Sequence, residues 1–83
     1  MKLLNWNIEH MNSWWEGGLR NPAIMRQTFA GNNFSPAISD VPKLAERVGK
    51  VINDINPDLI TIQEGAGVFE MRDFFDRFVN GNN

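Results

Sequence analysis

Residues 57–64, Pro57-Asp58-Leu59-Ile60-Thr61-Ile62-Gln63-Glu64, restrict the architecture more than any other stretch of the chain. Leu59, Ile60, Thr61 and Ile62 are apolar or β-branched in near-continuous order, the pattern of a strand over 58–63 buried on both faces in a parallel sheet. A parallel partner requires a long crossover connection, and the residues upstream supply one. Asp40 is placed to cap a helix over 41–55, in which Val41, Leu44, Ala45, Val48, Val51, Ile52 and Ile55 recur at intervals of three and four. Asn56-Pro57 ends it, and Glu46 and Lys50 stand i,i+4 on its outer face. Such a helix depends on packing of its apolar face, so it must lie on a sheet.

Residues 2–8 provide the first strand, with Leu3, Leu4, Trp6 and Ile8 apolar and Asn5 and Asn7 interspersed. A helix over 41–55 spans about 22 Å, and a six-residue strand about 20 Å. The lengths match, and strand, helix and strand predict a right-handed βαβ unit with both carboxyl ends at one edge. The expected fold class is α/β. Ligands of open α/β sheets bind at that edge, which makes Asn7, Gln63 and Glu64 the first candidates for chemistry. Glu9 and His10 lie just beyond the first strand, at the mouth of the same crevice. His10 reads either as a loop imidazole bonded to backbone or water, or as a contact to substrate or metal.

Between the two halves of this unit, residues 9–39 read as one long excursion, rich in Asn, Ser and Gly. Asn21-Pro22 opens an expected short helix over 22–30 that ends near Gly31. Trp14 and Trp15 read either as one core and one half-exposed ring or as an aromatic wall beside the site. Arg20 and Arg26 read as surface cations or as phosphate contacts. After the second strand, Gly65-Ala66-Gly67 leads into a helix over 68–79, with Met71, Phe74, Phe75 and Phe78 inward, an Asp73–Arg77 surface pair, and Asn80-Gly81 at its end.

Composition narrows the functional classes. With 42% hydrophobic and 22% charged residues the chain has an ordinary globular balance, and no stretch approaches the apolar length of a membrane span. Asn5, Asn7 and Glu9 interrupt the opening apolar run before a signal sequence can form, so a cytoplasmic protein without membrane association is expected. The absence of cysteine removes thiolate metal sites and cysteine nucleophiles, leaving oxygen-ligand metals. A net charge of −2 argues against a broad basic nucleic-acid surface.

Leu4-Asn5-Trp6-Asn7-Ile8 resembles the first motif of the endonuclease/exonuclease/phosphatase superfamily, and residues 56–64, ending on Gln63-Glu64, resemble its second. The resemblance implies the amino-terminal βαβ portion of a four-layered, DNase-like α/β sandwich. It also implies Mg²⁺-dependent hydrolysis of phosphate esters, with Mn²⁺ as an alternative metal. On this basis Glu64 is the metal ligand and Asn7 belongs to the metal and phosphate site, both as catalytic residues, while Glu9, His10 and Gln63 are candidates for substrate or supporting contacts. The ester would be a nucleic acid or a phosphorylated small molecule or lipid.

The superfamily's later Asp-x-Asn motif and Asp-His pair have no match after Glu64. The 83 residues are therefore expected to be an amino-terminal fragment of one such domain, inactive alone. It would lack the remainder of the domain as a partner and would self-associate through open strand edges and apolar surface near Trp6, Trp14, Trp15 and the last helix. Two other readings are a non-catalytic fragment and a small nucleotide- or phosphate-binding α/β module using the 65–67 turn.

Overall fold

A computed structural model describes residues 1–17 and 21–79. The chain runs β1 (Leu3–Asn7), a 3₁₀ turn (Met11–Trp14), β2 (Trp15–Glu16), β3 (Ile24–Met25), α1 (Val41–Ile55), β4 (Leu59–Gln63) and α2 (Val68–Phe78). The architecture is mixed α/β. β1 and β4 form a parallel two-stranded sheet in the register Leu3↔Leu59 through Asn7↔Gln63, and β2 and β3 form a small antiparallel ribbon.

α1 begins where its sequence signals lie. The Asp40 carboxylate accepts a hydrogen bond from the Lys43 backbone N–H at 3.1 Å, satisfying one of the free donors of the first turn. Asn56 ends the helix in the left-handed region, φ 51°, and its N–H donates to the Ile52 carbonyl. The chain then enters β4 beside the amino end of β1. There the Lys2 N–H donates to the Asp58 carboxylate at 2.7 Å, and the Lys2 ammonium donates to the Ile55 carbonyl at 2.8 Å. This clamp joins both strands and the end of the crossover helix, so the register is held from the amino side.

The core is assembled from the long excursion as much as from the βαβ unit. Met11, Trp14, Trp15, Val41, Ala45, Ile52 and Phe74 are fully or almost fully buried, with Leu4, Trp6, Ile60 and Ile62 packed against them. Phe74 lies at the centre, with the rings of Trp14, Phe75 and Phe78 at 5.3–5.9 Å between centroids.

Several expectations are corrected by these contacts. The second strand is buried on one face only. Leu4, Trp6, Ile60 and Ile62 face the core, whereas Leu3, Asn5, Asn7, Leu59, Thr61 and Gln63 form an exposed outer face, because both helices pack on the same side. Residues 22–30 form no helix. Ile24–Met25 pair with Trp15–Glu16, and Phe29 bridges Ile38 in an antiparallel contact, so strand pairing satisfies apolar residues that a helix of this length could not hold alone. Both Trp14 and Trp15 are buried, at 2% and 3% exposure, and the exposed large apolar side chains lie elsewhere, Leu3 and Leu59 on the outer sheet face and Phe34 and Val68 apart from it. Lys50 pairs with Asp54 rather than Glu46, and Val51 of the expected inner stripe is exposed. Arg20 and Asn80-Gly81 lie outside the described residues.

Gly49 of α1 lies against Phe78 of α2, so that a Cβ there would stand against the Phe78 carbonyl oxygen, 2.8 Å from the Phe78 Cβ. Alanine is the better helix former by about 1 kcal/mol, but the overlap reverses the sign. Gly49→Ala is expected to destabilise the chain by about 1–3 kcal/mol, read as a lowered urea midpoint with an unchanged slope.

Candidate functional site at the carboxyl edge of the parallel strands

The parallel register brings the ends of the two motif-bearing strands together. Asn7 stands opposite Gln63, and the Ile8 N–H donates to the Gln63 carbonyl at 3.2 Å, so the ladder persists to the last residue. Strands paired in this way lie about 4.8 Å apart. Asn7, Gln63 and Glu64 are all exposed, and Glu64 follows directly where the chain leaves β4.

Asn5 and Thr61, which sequence reasoning left without a role, organise this face. The Asn5 Oδ1 accepts from the Thr61 hydroxyl at 2.7 Å and from the Gln63 side-chain amide at 2.6 Å. Gln63 is thereby tied across the sheet to Asn5, which leaves Asn7 and Glu64 as the outermost oxygen donors of the edge. The signal that could have found this was the period-two alternation itself, since Asn5, Asn7, Thr61 and Gln63 share one face in this register.

Glu64 has φ 56°. A left-handed conformation is ordinarily taken by glycine or asparagine and costs a side chain such as glutamate about 1–2 kcal/mol. The strained backbone turns the chain sharply from the strand end into Gly65-Ala66-Gly67 and α2.

The remaining candidates are distributed around this edge. Glu9 is exposed. His10 is half-buried at φ 61° and begins the 3₁₀ turn, its carbonyl accepting from the Ser13 N–H at 2.9 Å. Among the described residues no three of His, Asp and Glu converge as a metal-binding group, so Glu9 and His10 do not join Glu64 in one cluster. Arg26 lies in another part of the fold, half-buried with its guanidinium 5.4 Å from the centroid of the Phe29 ring.

Comparison with known proteins finds no matching family model, no similar characterised protein and no similar solved structure.

The donor chemistry of the edge suits a small hard cation. Mg²⁺ takes oxygen ligands and is commonly held by one or two carboxylates, with waters and phosphate oxygens completing an octahedron. An exposed carboxylate at Glu64 and an exposed amide oxygen at Asn7 provide that kind of set.

The left-handed backbone at Glu64 makes a stability prediction independent of any ligand. Glu64→Asn is expected to raise stability by about 0.5–1 kcal/mol, because asparagine adopts this conformation at lower cost. A higher urea midpoint for the variant, measured without divalent cations, is the expected result.

Proposed function

We propose that this chain forms part of a Mg²⁺-dependent phosphoesterase of the endonuclease/exonuclease/phosphatase type, contributing Glu64 as the principal metal ligand and Asn7 to metal and phosphate positioning. The single observation that carries the reading is the Asn7↔Gln63 register, which sets the ends of the two motif-like segments side by side. The left-handed Glu64 adds support, since strained backbone is often retained where a side chain serves a site.

In this reading the βαβ unit of β1, α1 and β4 corresponds to the amino-terminal part of a DNase-like sandwich, whose further layers would cover the outer face of Leu3 and Leu59. Bound at the edge, Mg²⁺ would neutralise charge developing on the phosphoryl group. The residues of this chain do the positioning: Glu64 anchors through its carboxylate, Asn7 offers its amide oxygen or N–H₂ to metal or phosphate, and the Asn5–Thr61–Gln63 bonds keep the neighbouring side chain in place. No water-activating base is assigned, because the superfamily's Asp-x-Asn and Asp-His motifs have no match after Glu64 and the only histidine is His10. Acid–base assistance of that kind typically contributes about 10²–10⁴-fold, so metal binding without efficient turnover is the expected behaviour of the 83 residues.

Calorimetric titration tests this directly. Mg²⁺ is expected to bind with one-to-one stoichiometry, Glu64→Gln to weaken binding at least about tenfold, the equivalent of 1.4 kcal/mol, and a chromogenic phosphodiester to remain unhydrolysed. Mg²⁺ affinity unchanged by Glu64→Gln would overturn the assignment of the ligand, and metal-dependent turnover by the purified chain would overturn the division of labour.

A further inference from the structure

The hydrogen bonds of the parallel pair decide which backbone groups of β1 remain free. The Lys2 carbonyl accepts from the Leu59 N–H at 3.3 Å, and the Ile8 N–H donates to the Gln63 carbonyl at 3.2 Å. Successive residues of a strand turn their N–H and C=O groups to alternate sides. In the register Leu3↔Leu59 through Asn7↔Gln63, the even-numbered residues of β1 therefore bond to β4. Leu3, Asn5 and Asn7 present their N–H and C=O groups to the opposite edge, where no strand pairs with them among the described residues. An open edge of this kind is a template for another strand.

The two open edges of the sheet are not equivalent. The free edge of β4 is bounded by Pro57 and Asp58 before the strand and by Glu64 after it, where φ 56° turns the chain away. Proline, charge and a distorted backbone are the usual guards of a strand edge. β1 has none of them. Its sequence, Leu3-Leu4-Asn5-Trp6-Asn7, holds no charge and no proline, and the chain first turns left-handed at His10, beyond the strand. The Asn5 side chain is drawn across the sheet toward β4, its Oδ1 accepting from Thr61 and Gln63 at 2.7 and 2.6 Å, and so away from the open edge.

We propose that β1 pairs antiparallel with β1 of a second copy of this chain, about a twofold axis at Asn5. In that register Leu3 exchanges both backbone bonds with Asn7 of the second copy, and Asn5 exchanges both with its own equivalent, so the free groups of the edge are all satisfied. The facing residues are self-complementary. On the inner side Leu4 stands opposite Trp6 of the second copy, an apolar pair between side chains left half-buried in one chain. The nearest charged residues across the axis are Lys2 and Glu9, of opposite sign. The equivalent full-length pairing of β4, centred on Thr61, sets Asp58 opposite Glu64, a contact between like charges. The result is a closed dimer with one continuous four-stranded sheet, two strands from each copy, and with β4 at both outer edges. The carboxyl ends of the two β1 strands point in opposite directions, so the pairing stands whether or not Glu64 holds a metal. Edge pairing of one short strand buries little surface, below the about 1,200 Å² of a stable complex, so the association is weak and reversible.

Sedimentation equilibrium of the chain from micromolar to millimolar concentration, with amide NMR spectra recorded over the same range, tests the pairing. A reversible monomer–dimer equilibrium is expected, with concentration-dependent shifts at the amides of Leu3, Asn5 and Asn7 and none at Ile60 and Ile62. In a mixture of isotope-labelled and unlabelled chains, an inter-chain contact between the α-protons of Leu4 and Trp6 is expected, because these residues form the close, non-hydrogen-bonded pair of the antiparallel ladder. Leu3→Pro is expected to weaken dimerisation at least about tenfold, since it removes an edge donor from each copy. The bonds to β4 do not use that N–H, and proline is tolerated at the first residue of a strand. A chain that is monomeric at millimolar concentration, open-ended larger assemblies, shifts centred on Ile60 and Ile62, or a dimer indifferent to Leu3→Pro would each overturn the proposal. So would a dimer lacking the Leu4–Trp6 contact, a measurement that needs no mutation and decides the matter even where the variant does not fold.

Discussion

A two-stranded parallel ladder has no independent stability in water, and β1 and β4 hold their register only because their inner faces rest on the cluster around Phe74. That ring is fully buried and touches aromatic partners from the 3₁₀ turn and from its own helix. The close approach of α1 to α2 at Gly49 sets how far α2 can advance over the core, and Trp14 completes the cluster from the excursion. The Lys2–Asp58 clamp then fixes one end of the ladder, so the positions of Asn7 and Glu64 at the other end follow from packing well away from them.

The outer face is the complement of this arrangement. Leu3 and Leu59 are more than half and half exposed, at 58% and 50%, and each strand has one edge unpaired among the described residues. The polar side of the same face, Asn5, Thr61 and Gln63, satisfies its hydrogen bonds internally. Apolar and polar exposure therefore divide along the strands, with the amino half apolar and the carboxyl half carrying the candidate chemistry.

The crossover helix was legible because three independent signals agree there: the Asp40 cap, the apolar spacing and the Asn56-Pro57 stop. The strands and their common carboxyl edge followed from it, and with them the placement of Asn7 and Glu64. Residues 22–30 were misread because Ile24, Met25 and Phe29 suit either a short helix or paired extended segments, and the deciding partners, Trp15 and Ile38, are tertiary. Burial of both tryptophans follows from that ribbon for the same reason. The one-sided sheet was not readable from Leu59-Ile60-Thr61-Ile62, since a continuous apolar run says nothing about which face a helix covers. The burial of Glu70 was invisible for a further reason: it reads as an ordinary first-turn acid, and the residues around it come from the 3₁₀ turn and the β2–β3 ribbon, distant in sequence.

The proposed function depends on a divalent cation at the carboxyl edge of the parallel strands. Substoichiometric Mn²⁺ in place of Mg²⁺, with amide resonances of the labelled chain recorded by NMR, locates the cation through paramagnetic broadening. The expected result is broadening centred on Asn7, Ile8, Gln63, Glu64 and Gly65, with Asp54 and Asp76 spared. Broadening centred on those exposed helical carboxylates, with the strand ends unaffected, would contradict it.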